Sequence, residues 1–343
     1  MAHHEGMSLL ALAYVLLDKP MQRRFLSDPM LRAADQLLQE RVPRAIAPVL
    51  PHKSETRDAP LASPEETGSM RVITNPASAT VEAHLLSNGS YHVTVTSAGG
   101  GFSRWHDLAV TRWREDATRD NYGSFCYLRD VSSGSTWSNT WQPITGPAKG
   151  YEAICTQARA EFRRSDEKIE TYTQISVSPE DDIELRRITL TNRSEKPRKI
   201  EVTSYAEVVL ATQPQDEAHP AFSNLFVQTE IVQRHQAIYC TRRPRSLEEH
   251  PPWMTHMMTV RGVTTGTPSY ETDRMKFIGR QRTLASPAAL DDFAPLSNSA
   301  GPVLDPIVSI RQTVLLAPSE TVRIDIITGV SESRTGVEAL SEK

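Results

Sequence analysis

Long stretches in which apolar and polar residues alternate constrain the fold of this chain more than any other feature. The apolar positions of the longest run are Ile200, Val202, Ala206, Val208 and Leu210. The same alternation recurs at 91–95, 308–316 and 322–326. Because successive side chains of a strand point to opposite faces, a period of two indicates β-strands that pack by their faces.

Turn-forming sequences separate these runs, at 87–89, 178–181 and 192–197. They are rich in Asn, Gly, Ser, Pro and Asp, the residues that turns favour. We predict no helical segment between the strands, which indicates two packed antiparallel sheets. The fold class is therefore predicted as mainly β, a large antiparallel β-sandwich over 79–343.

The N-terminal residues have a helical period instead. Met7, Leu10 and Tyr14 share one helical face, and Asp28 followed by Pro29 predicts a second helix that ends near residue 41. We therefore predict a short α-helical stub over 1–42. Prolines punctuate the polar stretch that follows, which predicts a linker over 43–78.

Composition excludes some classes of protein. The chain has 343 residues, 38% of them hydrophobic, and a net charge of −4. This balance fits a globular protein with a core and gives no basic excess for nucleic acid. The basic cluster Arg242, Arg243 and Arg245 lies beside two glutamates and is interpreted as a solvated loop.

Cysteine usage and apolar stretches indicate a cytoplasmic character. Cys126, Cys155 and Cys240 are odd in number and far apart, which predicts free thiols and neither disulfides nor a metal site. The longest apolar stretch, Leu9 to Leu17, is too short to cross a bilayer. The N-terminus also lacks the basic region and cleavage site of a signal peptide.

One stretch, from 97 to 123, combines glycines, aromatic rings, arginines and carboxylates. Saccharides bind to this mixture, because their C–H faces stack on rings and their hydroxyls pair with polar groups. The candidate substrate-binding residues are Gly100, Gly101, Phe102, Ser103, Trp105, Arg112, Trp113, Arg114, Asp116, Arg119 and Asp120. The alternative for each tryptophan is a buried ring beneath arginine stems.

Other motifs indicate no chemistry of their own. Trp137 and Trp141 form a second aromatic patch, for which core packing is the alternative to binding. Adjacent acids such as Asp181 and Asp182 flank turns and are interpreted as solvated. The sequence contains no nucleophile elbow, zinc-binding helix or phosphate loop. We predict no catalytic residue, no metal and no cofactor within this chain.

Several longer stretches resemble those of one family. Segments 2–8 and 18–25 resemble the end of the α/α-barrel transglycosylase domain of cyclic β-1,2-glucan synthases. The later segments resemble the module that follows that domain, and they are 88–101, 103–105, 111–120, 271–274, 277–280 and 296–303. That module is similar to the cellobiose and chitobiose phosphorylases, formerly classed as glycosyltransferase family 36.

The resemblance implies a β-supersandwich followed by an (α/α)₆ barrel. In such phosphorylases the barrel supplies the catalytic acid and phosphate is the co-substrate, so both would act outside this chain. The implied partners are a β-glucan oligosaccharide, flanking domains of the same polypeptide and a second copy in a homodimer. The whole protein would lie in the bacterial inner membrane through segments that this chain lacks.

Two hypotheses of function remain open. In the first, the chain is the carbohydrate-binding, non-catalytic part of a cyclic β-1,2-glucan synthase, a hexosyltransferase, and positions glucan for a barrel. In the second, it is a stand-alone glucan-binding, scaffold or dimerisation module. His3 and His4 match the barrel-end motif, and whether they have a role stays open.

Overall fold

The computed structural model of the chain describes residues 2–33, 70–116, 118–146, 149–246 and 248–343. Two compact units divide the chain, Met1–Pro64 and Glu65–Lys343.

The first unit contains three helices, α1 (Ala2–Leu16), α2 (Pro20–Ser27) and α3 (Pro29–Ala33). Pro20 and Pro29 each begin a helix, where a missing N–H costs nothing. Many apolar side chains of α1, such as those of Leu9, Val15 and Leu16, are exposed. The helical stub is confirmed, whereas the predicted continuation of the second helix beyond residue 33 lies outside the described residues.

The second unit is built from strands. In chain order they are β1 (Arg71–Ile73), β2 (Ala83–Ser87), β3 (Tyr91–Thr96), β4 (Gly101–Trp105), β5 (Leu108–Thr111), β6 (Phe125–Asp130), β7 (Thr136–Ser138), β8 (Lys149–Thr156), β9 (Arg159–Asp166), β10 (Ile169–Val177), β11 (Ile183–Asn192), β12 (Arg198–Thr212), β13 (Val227–Val232), β14 (Ala237–Arg242), β15 (Trp253–Arg261), β16 (Val263–Asp273), β17 (Gly301–Pro302), β18 (Pro306–Leu316) and β19 (Thr321–Ser331).

These strands form two antiparallel sheets. A ten-stranded sheet has the order β1-β8-β9-β10-β11-β19-β15-β14-β13-β17. A nine-stranded sheet has the order β16-β18-β12-β5-β4-β3-β2, and β6 pairs with both β12 and β7. The predicted antiparallel sandwich is confirmed.

Burial follows the sequence pattern within these strands. Along β11, half-buried and buried residues alternate without a break, as expected for a strand with one face in the core. Strand β12 is buried at almost every position, because it lies at the centre of its sheet with neighbours on both edges. The apolar side chains of both sheets meet in one continuous core.

The structure corrects the predicted linker boundary. Strand β1 lies within the range 43–78, where we predict a linker, and its Val72 pairs with Ile154 of β8. Ile73 is buried in the core of the sandwich, which gives this short strand its stability. The part of the predicted linker from 43 to 69 lies outside the described residues.

Short helices also interrupt the strands, although we predict none there. They are α4 (Gln213–Ala218), α5 (Pro220–Asn224) and α6 (Arg274–Ile278). A further helix, α7 (Arg334–Glu342), follows the last strand. Single turns of 3₁₀-helix occupy Gln233–His235 and Ala288–Leu290. The sequence pattern cannot reveal helices of about five residues, because they span little more than one turn and show no repeat of apolar positions. Among the described helices, none is long and apolar enough to span a bilayer.

Candidate carbohydrate-binding site

The first half of the candidate stretch is a β-hairpin and not a loop. Trp105 and Ser103, on β4, are buried and bond to acids of the other sheet's strand β11 and its preceding turn. The indole Nε1 of Trp105 donates to Asp182 at 2.6 Å, and the hydroxyl of Ser103 donates to Glu184 at 2.5 Å. These two predicted binding residues therefore tie the two sheets together. Asp182, which the sequence predicts to be solvated, accepts the hydrogen bond from Trp105.

The glycines of this stretch are required by close packing. A Cβ on Gly101 would lie 1.9 Å from the carbonyl oxygen of Thr94, on the paired strand β3. A Cβ on Gly100 would lie 2.0 Å from the carboxylate of Asp120. A side chain at position 101 would therefore displace the backbone of β3, and one at position 100 would displace the Asp120 carboxylate. These two predicted residues shape the site without offering a side chain.

The second half of the stretch enters a buried cluster of charges. The Arg112 guanidinium bonds to Glu207 at 3.1 Å, to Asp216 at 3.3 Å and to Asp305 at 3.4 Å. Arg114 bonds to Asp216 at 2.8 Å, and Arg274 bonds to Glu207 at 2.7 Å and to Asp305 at 3.3 Å. We call these three arginines and three acids the Arg112 cluster.

Electrostatics within the Arg112 cluster favour the charged form of Arg112. Burial alone would lower the pKa of Arg112, but Glu207, Asp216 and Asp305 outweigh burial and raise the pKa. For Asp305, burial and then the Glu207 charge raise the pKa, while Arg274 and Arg112 oppose them. Matched charges therefore stabilise one another in a site that is only 7% exposed at Arg112.

A β-bulge brings the distant parts of the cluster together. The pairing of β12 with β5 shifts register between Val208 and Ala211, and Leu210 has a φ of 53°. Bulges bend a strand and redirect its side chains. Here the bulge follows Glu207 directly and leads into α4, which carries Asp216. The α6 N-terminus, where Asp273 caps the backbone N–H of Met275, places Arg274 opposite.

One cavity opens beside the Arg112 cluster. It has a volume of about 400 Å³ and is lined by Glu207, Arg274, Asp305, Arg119, Asn121 and Tyr122, among others. The Oδ1 atom of Asn121 is buried and has no partner among the described residues. We call this space the inner cavity.

A second cavity of about 400 Å³ contains three of the predicted binding residues, Asp116, Arg119 and Asp120. Trp141 and Gln142 line it as well, and the Trp141 ring is held edge-on by Tyr151 at 6.2 Å. Burial raises the pKa of Asp120, against the effect of a hydrogen bond from Thr96. We call this space the outer cavity.

Arg119 lines both cavities, and we name the pair of them the Arg119 groove. The Arg119 side chain is exposed and forms no ion pair with a residue that the structure describes. The groove therefore combines an exposed guanidinium, carboxylates, amides and an indole. Such a set can pair with hydroxyl groups and stack against a sugar face.

Trp113 and Phe102 lie apart from the groove lining. Their ring centroids are 5.5 Å apart, and Trp113 is 38% exposed. Both rings line a small depression together with Arg104 and Arg112. The two predicted tryptophans thus differ in environment, since Trp105 is in the core and Trp113 is at the surface. Trp137 is buried on β7, whereas Trp141 faces the outer cavity.

Sequence reasoning missed the acids that complete the site, Glu207, Asp216 and Asp305. One signal was present for Glu207, which places a charge between the apolar residues Ala206 and Val208 of a central strand. A charge at such a position needs a partner and therefore indicates a buried ion pair. No local pattern marks Asp216 or Asp305. In the described parts of the chain, no group of three His, Cys, Asp or Glu side chains is placed to hold a metal ion.

Two large antiparallel sheets closed over one core, with a polar groove at their loops, define a β-supersandwich module. The chain belongs to the family of the glycosyl hydrolase 94 supersandwich domain, whose model matches residues 67–343.

Similar proteins extend this assignment over the whole chain. The chain is 38% identical over 342 residues to the cyclic β-(1,2)-glucan synthase NdvB of Rhizobium meliloti (strain 1021). This match covers 98% of the chain but 12% of NdvB. The N,N'-diacetylchitobiose phosphorylase of Vibrio furnissii is 26% identical over 76% of the chain, which corresponds to 32% of that enzyme. A 3-O-β-D-glucopyranosyl-β-D-glucuronide phosphorylase of Paenibacillus borealis is 22% identical over 78% of the chain and 33% of its own length. The chain thus spans a third or less of these relatives.

Proposed function

We propose that the chain is the carbohydrate-binding, non-catalytic part of a cyclic β-1,2-glucan synthase. It holds a β-glucan oligosaccharide in the Arg119 groove and positions it for a following α/α barrel of the same polypeptide. The likeness to NdvB along nearly the whole chain supports the kind of parent protein. The phosphorylase relatives support a parent enzyme that acts on glycosidic bonds.

The Arg119 groove is the observation that carries the proposal. It joins two cavities of about 400 Å³ each, and its polar groups come from the segment 116–122 and from the Arg112 cluster. Trp141 offers a ring at one end, and Arg119 offers N–H donors that no described carboxylate occupies. A neutral ligand with many hydroxyl groups satisfies both kinds of contact.

The proposal assigns the bond-breaking chemistry to other domains. The parent enzyme is of the glycosyltransferase or inverting phosphorylase type, with phosphate as co-substrate of the phosphorylase-like module. The catalytic acid belongs to the barrel, and the chain by itself is inactive.

The partners are the flanking domains and a second copy in a homodimer. The parent protein lies in the bacterial inner membrane, while this part is cytoplasmic.

Arg119→Ala tests the groove directly. We expect the variant to bind β-1,2-glucan oligosaccharides about tenfold more weakly in isothermal titration calorimetry, because hydrogen bonds from a charged group are lost. Its thermal unfolding midpoint should not change, since the side chain is exposed and forms no ion pair with a described residue.

Arg261→Ala is the matched control, because Arg261 is an exposed arginine on β15, outside the groove lining. It should bind glucan like the wild type. Equal affinity of both variants would refute the groove as the binding site. In the same preparations, release of glucose 1-phosphate from β-1,2-glucan and phosphate, above a heat-inactivated control, would refute the non-catalytic role.

A further inference from the structure

Three arginines at the end of β14 gather around the ring of Phe226. The guanidinium carbons of Arg242, Arg243 and Arg245 lie 5.8, 5.2 and 4.9 Å from the ring centroid. Their sequence favours a solvated loop. The structure shows in addition that their three positive charges surround one aromatic ring. We call these four residues the Phe226 cluster.

The backbone of the Phe226 cluster is fixed by its own contacts. The N–H of Arg243 donates to the carbonyl oxygen of Phe226 at 2.7 Å, and Pro244 restricts the chain between the two outer arginines. The Arg242 guanidinium donates to the carbonyl oxygen of Val209 at 2.9 Å. The arginines are therefore presented from a defined position.

Glu249 and Asp216, two acids near the Phe226 cluster, bond to groups other than its guanidinium groups. Glu249 accepts from the backbone N–H of Arg245 at 2.5 Å, and Asp216 is engaged by Arg112 and Arg114. The guanidinium groups of Arg243 and Arg245 are exposed, and neither forms an ion pair with a residue that the structure describes. Burial, and then the Arg245 charge, lower the pKa of Arg242, against the weaker opposing effects of Asp216 and Glu249.

We propose that the Phe226 cluster binds an oxyanion of the phosphate type, either inorganic phosphate or the phosphate group of a sugar phosphate. A guanidinium held against an aromatic ring keeps its N–H edge for hydrogen bonds. Arg242 adds positive charge while its N–H groups bond to Val209 and Ser223. The guanidinium groups of Arg243 and Arg245 offer more N–H donors than one carboxylate can use, whereas phosphate has more acceptor oxygens for them. The site shares no residue with the Arg119 groove and does not depend on glucan binding there.

Calorimetric titration of the full chain with inorganic phosphate, and separately with a hexose phosphate, at constant ionic strength tests the proposal. The double variant Arg243→Ala, Arg245→Ala should lose about tenfold or more in affinity for the better ligand. Phe226→Leu leaves the net charge unchanged and should also weaken binding, because the ring that aligns the guanidinium groups is gone. Thermal unfolding of each variant verifies that the fold persists.

A second double variant, Arg24→Ala with Arg261→Ala, removes two exposed arginines elsewhere and should bind phosphate like the wild type. Equal losses in the two double variants would overturn the proposal, because the attraction would then be a general effect of charge. Absence of phosphate binding by the wild type would overturn it too.

Tighter binding of the hexose phosphate identifies the ester as the ligand, and tighter binding of inorganic phosphate identifies the free ion. Arg119→Ala should lose glucan affinity and keep phosphate affinity, which separates this site from the groove.

Discussion

Trp105 and Trp113 lie eight positions apart in the sequence (113 minus 105) and face opposite environments. Trp105 is 9% exposed and its indole N–H is bonded to Asp182, whereas Trp113 is 38% exposed and rests against Phe102. The first ring stabilises the sandwich. The second ring is available to a ligand.

Alanine at each position should therefore have a different effect on stability. Trp105→Ala should lower the free energy of unfolding by about 3–5 kcal/mol, because a buried ring and its hydrogen bond are lost. Trp113→Ala should leave stability nearly unchanged and should also keep the glucan affinity of the wild type, because this ring lies outside the lining of the Arg119 groove. Urea unfolding and calorimetric binding on both variants measure the two quantities. If Trp113→Ala destabilised the fold as much as Trp105→Ala, Trp113 would be a core residue.

His256 is a buried histidine between two hydroxyl groups. Its ring nitrogens lie 2.9 Å from the Ser204 hydroxyl and 3.1 Å from the Thr328 hydroxyl. Burial, and then the positive charge of Arg186, lower the pKa of His256 from 6.5 to about 3. The ring is therefore neutral in the folded protein, while in the unfolded chain it takes up a proton below pH 6.5.

This difference predicts the sign of a pH effect. Between pH 6.5 and 3 the unfolded chain binds the extra proton, so the His256 contribution is complete above pH 6.5 and declines as the pH falls. The slope should be roughly 1 kcal/mol per pH unit. His256→Gln, which can bond to both hydroxyls without titrating, should have a smaller slope between pH 6.5 and 5, measured by urea unfolding. Identical slopes for variant and wild type would contradict the neutral buried ring.

At the scale of elements, the bulge in β12 connects the sandwich to its site. Glu207 precedes the register shift and Asp216 lies on the helix that follows it, so one irregularity positions two of the three acids around Arg112. The third acid, Asp305, comes from the residue before β18. The Arg112 guanidinium therefore links four segments: its own, β12, α4 and the residue before β18.

Arg112→Ala should be far more costly than Arg114→Ala. Removing Arg112 leaves buried carboxylates without their main partner and should lower the free energy of unfolding by about 3–5 kcal/mol. Arg114 is partly exposed and bonds to Asp216 alone, so its loss should cost about 1 kcal/mol or less. Chemical denaturation of both variants gives the comparison. Similar small losses would mean that the cluster does not hold these segments together.

At the scale of the whole molecule, the chain divides into two compact units, Met1–Pro64 and Glu65–Lys343. The first unit carries many exposed apolar side chains on α1, and exposed apolar surface favours association. The second unit contains the continuous core of both sheets. We therefore regard the sandwich as an independent folding unit.

Deletion of residues 1–64 should leave a sandwich that unfolds cooperatively, and it should reduce self-association. Thermal denaturation followed by circular dichroism measures the first effect, and light scattering after size-exclusion chromatography measures the second. A non-cooperative transition in the deletion variant would show that the sandwich needs the helical unit.

The sequence by itself determined the periodic parts of this protein. Alternation over β3, β12, β18 and β19 predicts strands, because the pleat repeats every two residues and leaves a mark along the chain. The helical stub follows from its period in the same way. The residues that resemble the synthase family predict the supersandwich that the family assignment confirms.

Only the tertiary structure decided the site. Arg112, Glu207, Asp216, Arg274 and Asp305 are brought together by the pairing of distant strands and by one bulge, and no spacing in the sequence records that proximity. The different burial of Trp105 and Trp113 also depends on the tertiary structure, since local sequence does not show which face of β4 meets the other sheet. Periodicity reports the neighbours of a residue along its own strand, whereas a charged site depends on neighbours across the sheets.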